Sequence, residues 1–405
     1  MRVLLLSNEY PPHVTTGQGV HVEYLSRELK KYIDLDIRTF QDQDINEPHL
    51  RVKGYNAELH DYNGCSETMK QPLQRLSSCV DALAIDKIDA DVVHCHTSDT
   101  FMIGMLCKIL YKLPLVLTIH SLEARRPWRR ESNIAEYDYY SYIESGTIAL
   151  ADKIIAVSNS VREDILKIFP QTSSQKIDVI NNGIDVNEYK NTIDETVLRQ
   201  YGIDVAKPYV LFIGSMTRQK GLHYLLDAMQ YLPKGVQLVI CSRVSAIEED
   251  FCREVMRKVN ELNSSRGGII LIDKNLKRRE CINLYSSASV FCCPSIYEPF
   301  GIINLEALAC STPVVASSIG GIREVVIQGE GGFLVEPGLS PNPPYEPFDT
   351  AGFSKRMSDA INRLIKDKHL RERMGLRGRE RVEKVFSWEQ VAAKTLNLYN
   401  SFLPK

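Results

Sequence analysis

The chain has 405 residues, with 49 Lys+Arg against 51 Asp+Glu for a formal net charge of −2, and is 44% hydrophobic and 25% charged. These fractions belong to a globular protein of two or three domains, which excludes wholesale disorder and fibrous repeats. The charge balance leaves no global basic excess for gripping nucleic acid through its phosphates.

The first residues, Met1-Arg2-Val3-Leu4-Leu5-Leu6, hold a short apolar run with one arginine. It is too short for a signal-peptide core, and no stretch reaches the roughly 18 uncharged apolar residues of a membrane span. A cytoplasmic chain without membrane association is expected. Val3–Leu6, Leu35–Arg38, Val92–Cys95, Leu115–Ile119 and Ile154–Val157 read as strands without alternation, as in a parallel sheet covered on both faces. Between them, Val22, Leu25 and Leu29 form one helical stripe, and residues 137–151 form another. The pattern then restarts with strand-like runs at Tyr209–Ile213, Val236–Ile240, Ile269–Ile272, Val290–Cys293 and Val314–Ala316. Helices are expected near 221–231, 247–262, 278–287, 303–310 and 321–327. Two such series imply an α/β protein of two doubly wound domains. The polar stretch from Asn181 to Lys207 marks the boundary, and the division expected is 1–190, 191–385 and a tail segment 386–405. Pro337–Pro347 reads as a surface loop. Ten cysteines lie scattered, mostly in apolar runs and without a CxxC pair, so buried reduced thiols are expected rather than a disulfide scaffold or zinc ribbon.

The candidate sites also follow chain order. Glu9-Tyr10-Pro11-Pro12 and Thr15-Thr16-Gly17-Gln18-Gly19 precede a helix, where glycines let backbone amides approach an anion. A plain glycine-rich turn fits as well, since neither a full GxGxxG nor a P-loop follows. Asp34-Leu35-Asp36 and Asp89-Ala90-Asp91 read as polar strand entries and not as metal–diphosphate ligands. His94-Cys95-His96 puts two imidazoles on one strand face, but no third ligand stands at a recognisable spacing, so structural or substrate-lining roles are favoured and no metal site is expected. His120, in Thr118-Ile119-His120-Ser121, ends a strand and can touch a substrate; a structural histidine is the commoner case. Arg125-Arg126-Pro127-Trp128-Arg129-Arg130 is the dense basic cluster, able to grip a phosphate or stack on a sugar, or simply to be a solvated loop. Gly214 to Gly221 carries Arg218 and Lys220 at a strand's C-terminal end, either a diphosphate-neutralising pair or a solvated helix start. Last, a buried strand ends at Pro294 and a helix starts near Gly301, with Glu298 in the loop and Glu306 inside the helix in an apolar context. Amides at Gly301, Ile302 and Ile303 can hold a phosphate, and the carboxylates can hold sugar hydroxyls.

The run Pro294-Ser295, Glu298-Pro299-Phe300-Gly301, Glu306-Ala307 and Ala309 resembles the E-x7-E signature of glycosyltransferase family 4. Gly214 to Gly221 resembles that family's G-R-x-x-x-Q-K-G segment, Gly320-Gly321-Ile322-Arg323-Glu324-Val325-Val326 its later glycine pair, and Phe386-Ser387-Trp388 its C-terminal helix. Glu9-Tyr10-Pro11-Pro12, Gly19-Val20-His21-Val22, Val93-His94-Cys95-His96, Thr118 to Glu123 and Arg126-Pro127-Trp128 are similar to the short prokaryotic glycogen synthase branch, which includes ADP-glucose-dependent α-maltose-1-phosphate synthases.

The resemblance implies a GT-B fold: two Rossmann-like domains facing a central cleft, the first on the acceptor side, the second binding a nucleotide-sugar, and a last helix returning to the first. It implies a retaining transferase that needs no metal or cofactor and moves glucose from ADP-glucose to an α-1,4-glucan or glucose-1-phosphate. It implies catalytic roles for Glu298, His120 and Lys220, and a donor site of Gly19, Ser215, Arg218, Lys220, Glu298, Phe300, Gly301, Ile302, Ile303 and Glu306. Arg126, Trp128, Arg129 and His96 are the acceptor candidates. Ser215 stands where the family usually has arginine, with Arg218 the residue able to reach in its place. Ser311 replaces a usual glycine. Two rivals stay open: a UDP- or GDP-sugar-dependent enzyme of surface polysaccharide or glycolipid synthesis, and an inactive glucan- or nucleotide-binding subunit. No nucleic-acid partner is expected; the base of the donor and the oligomeric state are not readable from the sequence. Glu298 is expected in an open cleft, so that its removal should spare the fold.

Overall fold

The computed structural model describes residues 1–40, 42–56, 64–243, 248–343 and 345–403. Residue 247 of one expected helix, residue 344 of the proline-rich stretch and the last two residues of the tail lie outside them. The chain forms two compact units, Met1–Gly183 with Trp388–Lys405, and Ile184–Ser387.

In the first unit, β1 (Arg2–Leu6), β2 (Asp34–Thr39), β3 (Asp44–Glu47), β4 (Leu50–Gly54), β5 (Val92–Cys95), β6 (Leu115–Ile119), β7 (Lys153–Ala156) and β8 (Ile177–Val179) form a sheet in the order β3-β4-β2-β1-β5-β6-β7-β8. The pairs are parallel except β3 with β4. Residues of β1, β5 and β6 are almost entirely buried, which is why they read as unbroken apolar runs. β3 and β8 had no such signature: Asp44-Ile45-Asn46-Glu47 is a largely exposed edge, and β8 is three residues long. The helix Gly17–Leu29 buries Val22, Leu25 and Leu29, the stripe read from the sequence. The helix Trp388–Asn400 belongs to this unit and adds Trp388, Val391, Ala392, Leu398 and Tyr399 to the same core. Trp388 stacks on Tyr24 with ring centroids 5.6 Å apart and planes within 4°.

The second unit holds β9 (Tyr209–Ile213), β10 (Gln237–Cys241), β11 (Ile269–Ile272), β12 (Val290–Cys293), β13 (Val314–Ser317) and β14 (Gly332–Val335), ordered β11-β10-β9-β12-β13-β14. All neighbours run parallel, the 3-2-1-4-5-6 order of a dinucleotide-binding sheet. Residues 184–190, assigned to the first domain on polarity, pack with this unit: the Ile184 amide donates to the Phe386 carbonyl at 2.8 Å, and the Tyr189 hydroxyl reaches Glu306. Ile184 and Tyr189 are buried, so two apolar anchors outweigh the polar residues around them.

Among the described residues, no helix is long and apolar enough to cross a membrane. Of the ten cysteines, eight are buried, Cys281 is partly covered and Cys65 is exposed.

Candidate active site

Apart from the antiparallel edge strand β3, each sheet reverses its strand order once, and ligands of such folds gather outside the strand ends at that point. In the second unit the reversal falls between β9 and β12, which pair through Val290–Val210 and Phe291–Leu211. The loops after these strands, Gly214–Gly221 and Pro294–Gly301, are therefore neighbours. They are stitched by the Ile296 amide to the Gln219 carbonyl at 2.9 Å and by Gln219 Nε2 to the Tyr297 carbonyl at 3.0 Å. Lys220 Nζ lies 2.6 Å from Glu298 Oε2, and Ser295 Oγ donates to the same oxygen at 3.2 Å. Burial works against the Lys220 charge, but the Glu298 carboxylate beside it holds the lysine pKa above its usual value.

Glu298 is 7% exposed, so it does not stand free in an open space as expected. Its carboxylate is stabilised by the ammonium it faces, and removal would strand that ammonium. Ser215 is exposed, with its hydroxyl 3.5 Å from Thr217 Oγ1. Arg218 has its amide on Glu248 Oε2 at 2.9 Å and its guanidinium 3.8 Å from Glu346.

The helix Ile302–Ala309 starts from Gly301, whose φ of +89° suits glycine. Amides of a first helical turn have no carbonyl one turn back, so Gly301, Ile302 and Ile303 sit where backbone donors face outward. Phe300 is buried edge-on against Phe386 at 6.0 Å and shapes the loop from beneath, rather than lining an open surface. Glu306 receives Tyr189 OH at 2.9 Å and Tyr285 OH at 2.8 Å, one on each oxygen. Burial pushes its carboxyl pKa up, and the two phenols pull it back. Neither tyrosine was singled out in the sequence, since residues 117 and 21 positions from Glu306 leave no local pattern.

In the first unit the reversal falls between β1 and β5. After β1, the Glu9 carboxylate accepts from the amides of Thr15 at 3.1 Å and Thr16 at 3.0 Å. A Cβ on Gly19 would come within 2.4 Å of Glu9 Oε2, so this glycine makes room for a carboxylate of the protein itself. After β5 and β6 come His96 and His120, and the helix Gly17–Leu29 brings His21 to them, a residue that spacing alone could not connect. His94 is held by Tyr399 OH at 2.6 Å and Thr118 Oγ1 at 2.8 Å. Burial lowers the pKa of His21 to about 4 and of His94 to about 3, and holds His96 and His120 well below the usual range, so all four rings are neutral near pH 7.

The basic cluster divides. Glu123, 1% exposed, takes Arg126 and, at 2.8 Å, Arg129 Nη1; Arg129 also reaches Glu136 at 3.1 Å. Arg125 pairs with Asp164 at 3.3 Å, and Trp128 is buried. Arg126 lines a small pocket with His96, His120, Glu123 and Glu144, whereas Trp128 and Arg129 do not. Sequence order shows the arginines together but not the carboxylates that pair with Arg125, Arg126 and Arg129. Of the two D-x-D strings, Asp36 pairs with Arg38 at 3.1 Å, and Asp91 accepts from the Arg2 amide at 2.8 Å, as strand entries do.

Glu144 sits behind Glu123, and burial, then the Glu123 charge, pushes its pKa up to about 8. Between about pH 4.5 and 8 the unfolded chain ionises this group while the folded chain keeps it protonated. Its contribution to stability therefore falls as pH rises, by up to about 1.4 kcal/mol per pH unit across that window. Glu144→Gln is expected to remove this slope. Urea unfolding of both proteins at about pH 5 and about pH 8 should show the variant gaining on the natural protein as pH rises; a constant difference would refute the assignment.

Residues 15–188 match the family model described as Glycosyltransferase Family 4, and residues 194–343 match that described as Glycosyl transferases group 1. The chain is 37% identical to an alpha-maltose-1-phosphate synthase of Mycolicibacterium smegmatis over 98% of this chain and 99% of the relative. It is 28% identical to a glycogen synthase of Mycobacterium tuberculosis over 98% and 94%. Among solved structures, a sucrose-phosphate synthase of Thermosynechococcus elongatus superposes with a TM-score of 0.77 at 24% identity, over 99% of this chain and 98% of that one. An Anabaena protein in complex with UDP and glucose superposes with a TM-score of 0.75 at 20% identity, over 98% and 99%.

Proposed function

This chain belongs to the glycosyltransferases of family 4, and from that premise we propose that it transfers glucose from ADP-glucose, with retention at the anomeric carbon, to glucose-1-phosphate or to the end of an α-1,4-glucan. The observation that carries the reading is the Lys220–Glu298 pair at the strand-order reversal of the second unit. Cleaving a nucleotide-sugar releases a diphosphate, so charge grows on the leaving oxygen in the transition state. A lysine held charged by a neighbouring carboxylate is already organised to meet that charge. Glu298 then faces the sugar, where a carboxylate accepts hydroxyl hydrogen bonds and balances positive charge developing at the anomeric carbon. Gly301, Ile302 and Ile303 offer amides to the diphosphate, with Phe300 holding their loop in place. Glu306, kept in position by two phenols, takes the ribose hydroxyls. Arg218, three residues after the exposed Ser215, supplies the guanidinium.

The first unit supplies the acceptor side in this reading. On this side His120 lines the sugar site. His96 and Arg126 contact the acceptor, with a phosphate on it meeting Arg126. Arg129 shares the Glu123 carboxylate with that arginine, and Trp128 is buried within the fold. The full-length likeness to an alpha-maltose-1-phosphate synthase favours glucose-1-phosphate over a long glucan.

The test is turnover of purified protein with ADP-, UDP- and GDP-glucose, each against glucose-1-phosphate and against glycogen. The expected result is release of ADP and a phosphorylated disaccharide from the first donor and first acceptor. Preference for another nucleotide would point to surface-polysaccharide or glycolipid synthesis. Tight nucleotide binding without transfer would make the chain an inactive binding subunit.

A further inference from the structure

His21, His96 and His120 come from three separate elements, yet their ring nitrogens lie within 4.8 Å of one another. Ring centroids are 5.2 Å apart for His21–His96, 4.9 Å for His21–His120 and 5.9 Å for His96–His120. An ion bonded tetrahedrally to three imidazoles at about 2.1 Å holds their centroids about 5.2 Å apart. The spacing is that of a metal site before the rings rotate to bring their lone pairs together.

The hydrogen bonding points the same way. His96 is 1% exposed, and neither of its nitrogens has a hydrogen-bond partner; His120 Nε2 is also buried without one. Buried polar atoms are normally paired, so unpaired ring nitrogens this close to one another need a partner of their own. His21 Nδ1 lies 2.6 Å from Asn182 Oδ1. An amide oxygen accepts, so Nδ1 carries the proton and Nε2 is left with a lone pair, the arrangement that orients metal-bound histidines. His94 stands behind His96 at 4.1 Å, but both its nitrogens are engaged, so it is not a ligand.

We propose that His21, His96 and His120 form a three-imidazole site for a divalent ion of the zinc class, with the fourth coordination position facing the small pocket that His96 and His120 line. Imidazole ligands suit zinc and its transition-metal neighbours, not magnesium or calcium, which take oxygen ligands. Metal at this site engages His120, so zinc would inhibit glucosyl transfer; this consequence alone rests on the function proposed above.

The test uses the full chain carrying Cys65→Ser, which removes the exposed thiol, stripped of metal and titrated with zinc alone against a chromophoric chelator. One ion per chain is expected, undisturbed by about a hundredfold excess of magnesium. His21→Gln and His96→Gln should each weaken binding at least about tenfold, Asn182→Ala by about tenfold through His21, and His49→Gln, an exposed histidine elsewhere, not at all. X-ray absorption should show nitrogen neighbours and no sulfur. Absence of a one-to-one complex, or binding indifferent to His21 and His96, would overturn the site. If the two glutamine variants do not fold, Asn182→Ala and the absorption spectrum carry the decision. Binding at this stoichiometry with transfer unaffected would keep the metal site and refute the role given to His120.

Discussion

Glu298→Gln is expected to lower turnover by about 10²–10³-fold, the scale of losing one preorganised electrostatic group, with a change in melting temperature of only a few degrees. Glutamine keeps the size and a hydrogen-bonding oxygen for Lys220 and Ser295 but removes the charge. Glu298→Ala behaves differently. It leaves the largely buried Lys220 ammonium without its carboxylate, and such breaks in buried pairs destabilise by about 3–5 kcal/mol. Lys220 keeps 21% side-chain exposure, so the lower end of that range applies. Lys220→Met in the Glu298→Ala background should recover part of this stability and none of the activity. Assays with saturating donor, read beside thermal unfolding, separate the two effects. Undiminished turnover in Glu298→Gln would remove the residue from the chemistry.

Gly320→Ala should be nearly as damaging although it touches no reacting atom. Gly320 has a φ of +47°, and a Cβ there would lie 2.2 Å from the Glu298 carbonyl oxygen. The next residue is as constrained: the Gly321 amide donates to that same carbonyl at 3.1 Å, and a Cβ on it would meet the Pro299 carbonyl oxygen at 2.3 Å. The clashing atoms are backbone and cannot swing aside, so the loop carrying Glu298 must move. A stability loss of about 2–4 kcal/mol is expected from the strained φ and the overpacking. Turnover should fall with it, since an ångström of misplacement is enough to lose about a hundredfold. Gly329→Ala is the control: its φ is +81°, but a Cβ there meets nothing within 4 Å, so it carries strain without collision. Equal loss in both variants would mean that the Glu298 loop is not what Gly320 protects.

These two residues also show how far the sequence could be read. Tyr209–Ile213 and Val290–Cys293 announce themselves as buried strands, and the glycine-punctuated loops after them follow at fixed places in an α/β chain. That puts Lys220 and Glu298 at strand ends, but not the 2.6 Å between them, which depends on β9 and β12 being neighbours. Pairing of strands far apart in the chain has no local signal. For the same reason Tyr189 and Tyr285 could not be attached to Glu306, nor His21 to His96 and His120. The arginines at 125–130 misled in another way. Charge counted along the chain looks concentrated, while Glu123, Glu136 and Asp164 pair with Arg125, Arg126 and Arg129 in space. The weak edge strand β3 and the three-residue β8 lay below what periodicity can detect.

The helix Trp388–Asn400 completes the core of a unit whose other residues end at Gly183. Synthesis imposes an order on that arrangement. When Gly183 has been added, the face of Tyr24 that will stack on Trp388 is bare, and His94 lacks the Tyr399 hydroxyl. The missing helix is still about 200 residues away, some 10–40 s at usual elongation rates. The half of the protein translated first is therefore finished last, after the whole of Ile184–Ser387 has emerged. Through that interval the nascent first unit carries an unfilled apolar seam where Trp388, Leu398 and Tyr399 will pack.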